Sequence, residues 1–420
     1  MRRYESYKDS GVEWLGEVPS HWNVVSMKRV IKEHSGNGFP IDLQGNNGNI
    51  PFLKVSDFSE NPDKYILKWN NSVTRKITKQ KKWNIVPKNC IVTAKIGEAL
   101  RKNHRKILLQ DSIIDNNCLG IEVKQADILF GYYLHCALDF DLFTNPGAIP
   151  SLSMEKYRNQ KIALPPFQEQ QKIAQFLDDK TAKIDQAMDL AEKQIALLKE
   201  HKQILIQNAV TRGLNPDVPL KDSSVEWIGQ VPEHWEVKKL KFVLTLSNKK
   251  EESKNSNKRY IGMENIESFT GKINDIPLIA EGIANSFYKD EILFGKLRPY
   301  LAKSYLADFD GICSTEFLVY RSTKVLNNRF ALNIFLSYGF IDAVNASTYG
   351  SKMPRANAEF ISNMFLAIPP LSKQKQIIDY LDTQTAKIDQ AIALKTAHIE
   401  KLKEYKSVLI NDVVTGKVRV

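Results

Sequence analysis

Apolar residues recur at alternating steps of four and three along two long stretches of the chain, which is the spacing of a coiled-coil seam. The first stretch starts at Pro165 as PPFQEQQKIAQFLDDKTAKIDQA, and a related segment, PPLSKQKQIIDYLDTQTAKIDQA, starts at Pro369, an offset of 204 residues. The pattern predicts two copies of one long helix. Its seam positions are Leu177, Thr181, Ile184, Met188, Ala191, Ile195, Leu198, Lys202, Leu205 and Ala209 in the first copy, and Leu381, Thr385, Ile388, Ile392, Lys395, Ile399, Leu402, Lys406, Leu409 and Val413 in the second.

Local signals bound the first helix at both ends. Pro166 suits the first turn, where a missing N–H leaves no hydrogen bond unmade, and Gly213 followed by Pro216 supplies a left-handed cap and a stop. A helix of about 45 residues extends ~67 Å at 1.5 Å per residue. A seam this long and narrow cannot bury itself, so the helix needs a partner. The other copy is the simplest partner, and packing against the globular regions is the alternative.

The pattern also repeats outside the helices, at an offset of 213 residues. The segment YKDSGVEWLGEVPSHW at residues 7–22 returns as LKDSSVEWIGQVPEHW at residues 220–235. Each marker is followed by short β-rich runs, such as CIVTAKI from Cys90 and EILFGKL from Glu291, and then by a helical pattern. Each globular region is therefore predicted to be α+β.

These repeats predict the organisation of the whole chain. We expect an α+β protein with two duplicated domains separated by the two long helices. The predicted segments are a first domain at 1–155, a central spacer helix at 156–213, a second domain at 214–360 and a C-terminal spacer helix at 361–420.

Composition places the protein among ordinary soluble chains. Its 420 residues, 43% of them hydrophobic, suit two to four units with cores of their own. The first residues lack the apolar core of a signal peptide, and the longest apolar stretch, from Leu129, is too short to span a bilayer. We therefore expect a cytoplasmic protein that does not enter a membrane.

The cysteines give no sign of a metal site. All four stand singly, without a CxxC pair or a histidine at metal-ligand spacing. We expect buried or neutral thiols and no bound metal. The four are Cys90, Cys118, Cys136 and Cys313.

A net charge of +11 favours an anionic partner, and its distribution narrows the choice. Between Lys64 and Lys106 stand thirteen basic residues and a single acidic residue, Glu98. Trp69 and Trp83 lie among them with several asparagines, so the run suits a surface that contacts phosphates and sugars. A solvated rim is the alternative. The candidate contacts from this run are Lys95, Arg101, Lys102, Arg105 and Lys106.

The second globular region carries a weaker basic signal. In GKLRPYLAK, Lys296, Arg298 and Tyr300 surround a turn stiffened by a proline. DNA contact and a packed turn at the end of a strand are both open at this point.

Motifs of common enzymes are missing from the chain. It contains no GxxxxGK[ST] phosphate loop, no GxGxxG turn after a strand and no HExxH metal pair. The prolines of LPPF and IPPL lack the asparagine that an adenine methyltransferase loop requires, because Leu164 and Ile368 occupy its place. We therefore predict no catalytic residues.

The duplicated openings SGVEWLGEVPSHW and SSVEWIGQVPEHW, together with PPFQEQQKIAQFLDDKTAKID, resemble the specificity subunit of type I restriction-modification enzymes over the whole chain. The resemblance implies two target-recognition domains, each reading one half of a split, asymmetric DNA site. It also implies that the two long helices pair as an antiparallel coiled coil and fix the distance between the half-sites.

The resemblance further implies a division of labour with other proteins. Two methyltransferase subunits would methylate adenine with S-adenosylmethionine, and restriction subunits would use ATP and Mg to translocate and cleave DNA, so this chain would bind no cofactor itself. The rival functions are a DNA-modifying enzyme with an unrecognised site and a structural coiled-coil adaptor.

Side chains able to bond base edges complete the prediction. The candidates are Lys54, Ser56, Asp57, Asn116 and Asn117 in the first domain, and Glu264, Asn265, Lys296, Arg298, Thr315 and Glu316 in the second.

Overall fold

The computed structural model describes residues 2–145, 147–280, 282–350 and 352–420. The chain divides into two compact units: unit 1 comprises Met1–Leu190 and Ala397–Val420, and unit 2 comprises Ala191–Thr396. Each unit combines one globular α+β region with part of both long helices. The four segment boundaries expected from the sequence stay a prediction, because units defined by packing divide the long helices instead.

Unit 1 contains fourteen strands and four short α-helices among its described residues, and one long helix begins within it. The strands are β1 (Tyr7–Asp9), β2 (Glu17–Pro19), β3 (Asn23–Ser26), β4 (Ile31–Ser35), β5 (Ile50–Leu53), β6 (Tyr65–Ile66), β7 (Ser72–Val73), β8 (Ile91–Ala94), β9 (Lys106–Leu108), β10 (Ile113–Ile114), β11 (Cys118–Val123), β12 (Thr144–Asn145), β13 (Ser151–Leu152) and β14 (Lys161–Leu164). The helices are α1 (Val55–Glu60), α2 (Arg75–Gln80), α3 (Ile128–Ala137), α4 (Met154–Asn159) and the long α5 (Phe167–Arg212).

Two sheets organise the globular part of unit 1. The larger has the strand order β4-β11-β8-β9-β6, and the smaller has the order β10-β5-β7, with β5 and β10 parallel. Strand β11 pairs antiparallel with both β4 and β8, so Gly120 lies opposite His34 on one side and Val92 on the other. The main core packs Trp22, Phe130 and Tyr157 against both long helices.

Unit 2 repeats this plan with twelve strands among its described residues. They are β15 (Leu220–Asp222), β16 (Gln230–Pro232), β17 (Glu236–Lys239), β18 (Leu244–Ser247), β19 (Lys250–Glu252), β20 (Tyr260–Ile261), β21 (Ile283–Phe287), β22 (Ile292–Gly295), β23 (Ser304–Leu306), β24 (Gly311–Cys313), β25 (Phe317–Ser322) and β26 (Phe365–Ile368). The helices are α6 (Asn328–Phe335), α7 (Tyr338–Ala346), α8 (Ala358–Asn363) and the long α9 (Leu371–Val414).

The sheets of unit 2 have the orders β18-β25-β22-β23 and β19-β21-β24-β20, and β20 is parallel to β24 as β5 is to β10. The β3–β14 pair of unit 1 corresponds to the β17–β26 pair of unit 2, and each pair leads directly into a long helix. The duplicated α+β architecture expected from the sequence is therefore confirmed.

The long helices pair antiparallel within each unit. In unit 2, Nζ of Lys395 lies 2.5 Å from Oε1 of Gln194, and Nζ of Lys202 lies 2.6 Å from Oδ1 of Asp389. Residue numbers therefore increase along α5 in the direction in which they decrease along α9. In unit 1, Nζ of Lys406 lies 2.6 Å from Oδ1 of Asp185. The antiparallel coiled coil is confirmed, and its three seam lysines pair with polar side chains of the facing helix.

Burial along the helices follows the heptad pattern. Every seam position named above is buried or partly buried, whereas Leu190, Leu197 and Leu394 lie outside the seam and are more than half exposed. No helix in the described ranges combines the length and the apolarity that a membrane span requires.

A glycine ends each long helix against a tryptophan of its unit. Gly213 has φ of +77° and a Cβ at this position would lie 3.1 Å from the Trp235 ring. Gly416 has φ of +78°, and a Cβ there would overlap the ring of Pro19 and touch Trp22. The repeated tryptophan therefore serves as the packing surface at which a long helix stops.

Candidate nucleic-acid interface

The parallel strands β5 and β10 bring several predicted residues of unit 1 to one edge. The backbone N–H of Asp115 donates to the carbonyl of Leu53 at 2.8 Å, which sets Lys54 beside the Asn116–Asn117 turn. The N–H of Lys95 donates to the carbonyl of Asn117, also at 2.8 Å. Lys54, Lys95, Asn116 and Asn117 therefore share one edge, and both asparagines are exposed there.

The loop before α4 completes this edge. The N–H of Leu152 donates to the carbonyl of Lys95 at 2.8 Å, and the N–H of Gly97 donates to the carbonyl of Pro150 at 2.7 Å. These two backbone hydrogen bonds and the two of the preceding paragraph, from Asp115 to Leu53 and from Lys95 to Asn117, are together called the edge frame of unit 1. It joins the backbones of these loops to one another.

Asp57 supports the first turn of α1 and is not available to read a base. The carboxylate is fully buried, accepts from the N–H of Lys54 at 2.6 Å and accepts from the N–H of Asn70 at 3.1 Å. Burial raises the pKa of the Asp57 carboxyl above its ordinary value. The sequence-based assignment of Asp57 as a base reader is therefore wrong, whereas its neighbour Ser56 is exposed.

Unit 2 contains the same edge frame, bond for bond. The N–H of Ser314 donates to Ile261 at 2.9 Å, and the N–H of Lys296 donates to Glu316 at 2.9 Å. The N–H of Ala356 donates to Lys296 at 2.9 Å, and the N–H of Arg298 donates to Pro354 at 2.7 Å. These four bonds are the edge frame of unit 2.

Asn265 takes the role of Asp57 in unit 2. It is buried, and its Oδ1 accepts from the N–H of Gly262 at 2.9 Å, while its Nδ2 donates to the carbonyl of Ile276 at 2.8 Å. Asn265 is thus a second residue that the sequence wrongly proposed as a reader. Glu264 and Thr315, by contrast, are exposed.

The two edge frames present different side chains at equivalent positions. The shared backbone bonds define the equivalence, and among the six pairs given below only the lysine that precedes the turn is the same in both units. The pairs are Lys54 and Gly262, Ser56 and Glu264, Lys95 and Lys296, Gly97 and Arg298, Asn116 and Thr315, and Asn117 and Glu316. One scaffold therefore displays two different chemical patterns.

The end of the basic run of unit 1 lies inside the protein. The Arg105 guanidinium carbon sits 3.7 Å from the Phe140 ring centroid, Nη1 donates to Oγ1 of Thr93 at 2.9 Å, and burial lowers the pKa of Arg105 to about 10. Nζ of Lys106 donates to the carbonyl of Asp63 at 2.6 Å. Both predicted phosphate contacts are wrong, because these buried cations have protein partners and cannot reach a duplex.

The other basic residues of the run are exposed or partly buried, and they differ in whether an acidic side chain pairs with them. Arg101 is exposed but lies 3.1 Å from Glu98 and 3.3 Å from Asp141, whereas Lys102 is exposed and has no ion pair among the described residues. The N-cap of α2 is Thr74, whose hydroxyl accepts from Ile77. The exposed basic residues on and just after α2 are Arg75, Lys76, Lys79, Lys81 and Lys82.

The aromatic residues of the run have packing roles. Trp83 makes edge contacts with Phe39 and Phe52, at ring-centroid distances of 6.1 and 5.1 Å, and Trp69 packs against a small core. Both tryptophans are partly buried, and their contact with sugars stays a prediction.

The turn at Arg298 projects the basic residues of unit 2. Arg298 itself is exposed with φ of +50°, Tyr300 is 44% exposed, and Lys296 is partly buried. Sequence reasoning missed Arg355, which lies beside this turn and forms an ion pair with Glu316 at 3.0 Å. Residues 316 and 355 lie far apart in sequence, so only the fold reveals the pair.

The fold also assembles a group of possible metal ligands that the sequence did not indicate. Ligand atoms of His34, Cys90 and Glu122 lie within 4.8 Å of one another, and Nε2 of His34 is 2.9 Å from Glu122. Strand register makes Glu291 and Arg321 of unit 2 the equivalents of Cys90 and Glu122, and these two form an ion pair at 2.7 Å. Unit 2 thus has an ion pair at the positions where unit 1 has Cys90 and Glu122.

Comparison with known proteins bears on both units. The family model described as "Type I restriction modification DNA specificity domain" matches residues 19–199 and 232–404. The EcoDI type I specificity subunit of Escherichia coli is 22% identical over 90% of this chain and 86% of its own length. The MjaVIII specificity subunit of Methanocaldococcus jannaschii is 25% identical over 96% of this chain and 94% of its own length.

Solved structures share the fold at low sequence identity. A chain from a study of complex assembly and conformational transition of the type I R-M system matches with a TM-score of 0.70 at 13% identity, over 96% of this chain and 99% of that one. The HsdS subunit from Thermoanaerobacter tengcongensis matches with a TM-score of 0.51 at 13% identity, over 96% and 98%. With the family model covering most of both units, the chain belongs to the type I restriction modification DNA specificity family.

Proposed function

We propose that this chain is the DNA-reading subunit of a type I restriction-modification assembly, in which each unit recognises one half of a bipartite, asymmetric site in double-stranded DNA. The observation that carries the proposal is the edge frame, which occurs once in each unit and displays different side chains. A duplicated scaffold with the same display would favour a symmetric site, whereas two displays favour two unlike half-sites.

Phosphate contacts and base contacts fall to different residues in this proposal. The exposed lysine and arginine side chains on and just after α2, together with Lys102, attract the phosphate backbone of the duplex without regard to its sequence. Lys54, Ser56, Asn116 and Asn117 in unit 1, and Glu264, Lys296, Arg298, Thr315 and Glu316 in unit 2, face the base edges.

Catalysis belongs to other subunits. Two methyltransferase subunits bind this chain and carry S-adenosylmethionine, and restriction subunits carry ATP and Mg. The proposal rests on the family relationship and on the absence of phosphate-loop and zinc-protease motifs from the sequence. The chain itself then supplies DNA recognition and a scaffold.

Mapping of methylated adenines in cells that express this chain with its methyltransferase partners tests the proposal. We expect one bipartite motif with two different halves and a gap of fixed length. A control strain that expresses the methyltransferase alone should lack that motif. Methylation at an unsplit or palindromic site, or the same motif in the control strain, would contradict the proposal.

A further inference from the structure

We propose that Glu316, oriented by Arg355, is the residue of unit 2 that recognises a cytosine, by accepting a hydrogen bond from its exocyclic amino group in the major groove. This inference rests on the proposed function of unit 2 as a DNA reader. It assigns a base to one position of the edge frame and a positioning role to Arg355.

The ion pair holds the Glu316 carboxylate in one orientation. Nε of Arg355 lies 3.2 Å from Oε1 and 3.1 Å from Oε2 of Glu316, and Nη2 lies 3.0 Å from Oε1. Both carboxylate oxygens are thus engaged by one planar guanidinium. Each oxygen has two lone pairs, and Oε1 accepts from both Nε and Nη2, so Oε2, which accepts from Nε alone, retains one that can accept a further hydrogen bond.

Backbone pairing fixes both members of the pair. The carbonyl of Glu316 accepts from the N–H of Lys296 at 2.9 Å, and Arg355 forms β-bridges with Leu297 and with Tyr349. The side chains are still accessible, with 23% exposure for Glu316 and 40% for Arg355. The carboxylate is therefore pre-ordered before any ligand arrives, and a reader of this kind loses little conformational entropy on binding.

Unit 1 shows that the fold does not require this ion pair. Asn117 and Ser151 occupy the positions of Glu316 and Arg355, and the backbone bonds of the edge frame are the same without a charged pair. An exposed ion pair adds little to stability in general. A structural role thus leaves the choice of these two residues unexplained, whereas a role in recognition explains it.

Charge explains why the two residues occur together. A lone carboxylate at a DNA surface is repelled by the phosphates, and the adjacent guanidinium neutralises it. A glutamate accepts from N4 of cytosine, and it lacks the donor that O6 and N7 of guanine, or N7 beside the amino group of adenine, would need. The acceptor-only chemistry of the carboxylate therefore favours a C·G pair with cytosine on the contacted strand.

The test uses the full chain with its methyltransferase partners and maps methylated sites in cells. Glu316→Gln keeps the shape but adds an amide donor, which suits adenine through N6 and N7. We expect the preference for cytosine at one position of one half-site to fall about ten- to a hundred-fold and to move toward adenine. The other half-site and the gap should not change.

Arg355→Ala tests the positioning role independently. It should broaden the same position while leaving the rest of the motif intact, and Arg355→Lys should restore cytosine only in part, because lysine cannot hold both oxygens. Arg329→Ala removes another exposed arginine–carboxylate pair of unit 2, to Asp382 at 2.8 Å, and serves as the matched control with no change of motif.

The outcomes separate this inference from the proposed function. An unchanged motif with Glu316→Gln, a change at a position that is not cytosine, or an equal loss of methylation at every site would overturn the assignment while the bipartite motif of the wild type stands. A wild-type complex that yields no bipartite motif would overturn both.

Discussion

At the scale of single residues, Arg298 combines a strained backbone conformation with an exposed charged side chain. It adopts left-handed backbone angles, with φ of 50° and ψ of 59°, where the equivalent residue of unit 1 is Gly97 with φ of 81°. A residue with a Cβ costs roughly 1–2 kcal/mol in this conformation. Such strain is retained where the side chain has a task, and DNA contact is the task proposed here.

Replacement of Arg298 by Gly should therefore separate stability from function. We expect the free energy of unfolding to rise by about 1 kcal/mol, because glycine relieves the left-handed strain. Methylation mapping should show weaker discrimination at one position of one half-site. Arg298→Ala is the control, since it removes the guanidinium and keeps the strain. A loss of stability in Arg298→Gly would contradict the explanation.

His135 makes the stability of unit 1 depend on pH. It is buried, with its ring nitrogens 2.6 Å from the carbonyl of Gly131 and 2.7 Å from the Tyr157 hydroxyl, and burial lowers its pKa to about 4. The unfolded chain, with an ordinary histidine pKa near 6.5, binds the proton first. Unfolding therefore becomes more favourable as pH falls below 6.5, and this effect levels off near 4.

Between pH 7 and pH 5 we expect His135 to lower the free energy of unfolding by about 2 kcal/mol. Thermal or denaturant unfolding across this range measures the loss. The variant His135→Gln should show a shallower dependence on pH. Equal slopes for the two proteins would mean that other groups titrate in this window.

Residue roles were the least predictable part of the site. Exposure of a side chain depends on which strands cover it, so the sequence placed Asp57, Arg105, Lys106 and Asn265 on a surface that none of them reaches. The other candidates are exposed or partly buried polar groups, and their roles stay predictions. Arg355 was missed because its partner is 39 positions away.

At the scale of elements, the long helices were predictable because a heptad is a local signal. The seam spacing, the first-turn proline and the closing glycine all lie within α5 or beside it, and the helix runs from Phe167 to Arg212. The short strands are set by partners distant in sequence. Their register, and with it the edge frame, had to come from the structure.

The two glycines that end the long helices should differ in their tolerance of a side chain. Each has positive φ, so an alanine costs roughly 1–2 kcal/mol at either position. Gly416→Ala should destabilise more than Gly213→Ala, because its Cβ would overlap Pro19 whereas that of Gly213 would only approach Trp235. Denaturant unfolding of the two variants compares them directly. Equal losses would contradict the packing argument.

Removal of one heptad from each long helix tests whether the two helices fix the distance between the half-sites. Residues 192–198 and 392–398 are suitable, since Gln194 faces Lys395 and a seven-residue deletion preserves the seam. The loss of ~10 Å of helix corresponds to about three base pairs. Methylation mapping should show a gap shortened by about that number between unaltered half-sites. Deletion from one helix alone should instead disrupt the pairing of the helices. An unaltered gap in the double deletion would show that the helices do not set the distance between the half-sites.

At the scale of the whole molecule, the duplication could be predicted from the sequence, because similar segments recur at offsets of 204 and 213 residues. The way in which each unit is assembled was not. Unit 1 combines residues up to Leu190 with Ala397–Val420, and its core packs Leu409, Val413 and Val414 against Trp22. Strand-like pairing between Arg2 and Arg419 belongs to the same unit.

A chain truncated after Thr396 should therefore fold unevenly. Hydrogen exchange should find the unit 2 core protected as in the full chain, while the amides around Trp22 and the first half of α5 exchange faster. The full-length protein is the control. Equal protection around Trp22 in both proteins would show that unit 1 does not need residues 397–420.

This arrangement has a consequence for synthesis on the ribosome. Unit 2 is contiguous in the chain and has all of its residues once Thr396 has emerged, whereas unit 1, although translated first, lacks part of its core until the last two dozen or so residues appear. Its apolar surface, including the face of α5 that awaits α9, stays open throughout that interval and is prone to aggregation. Chaperone demand during translation should accordingly fall on the half of the protein that is made first.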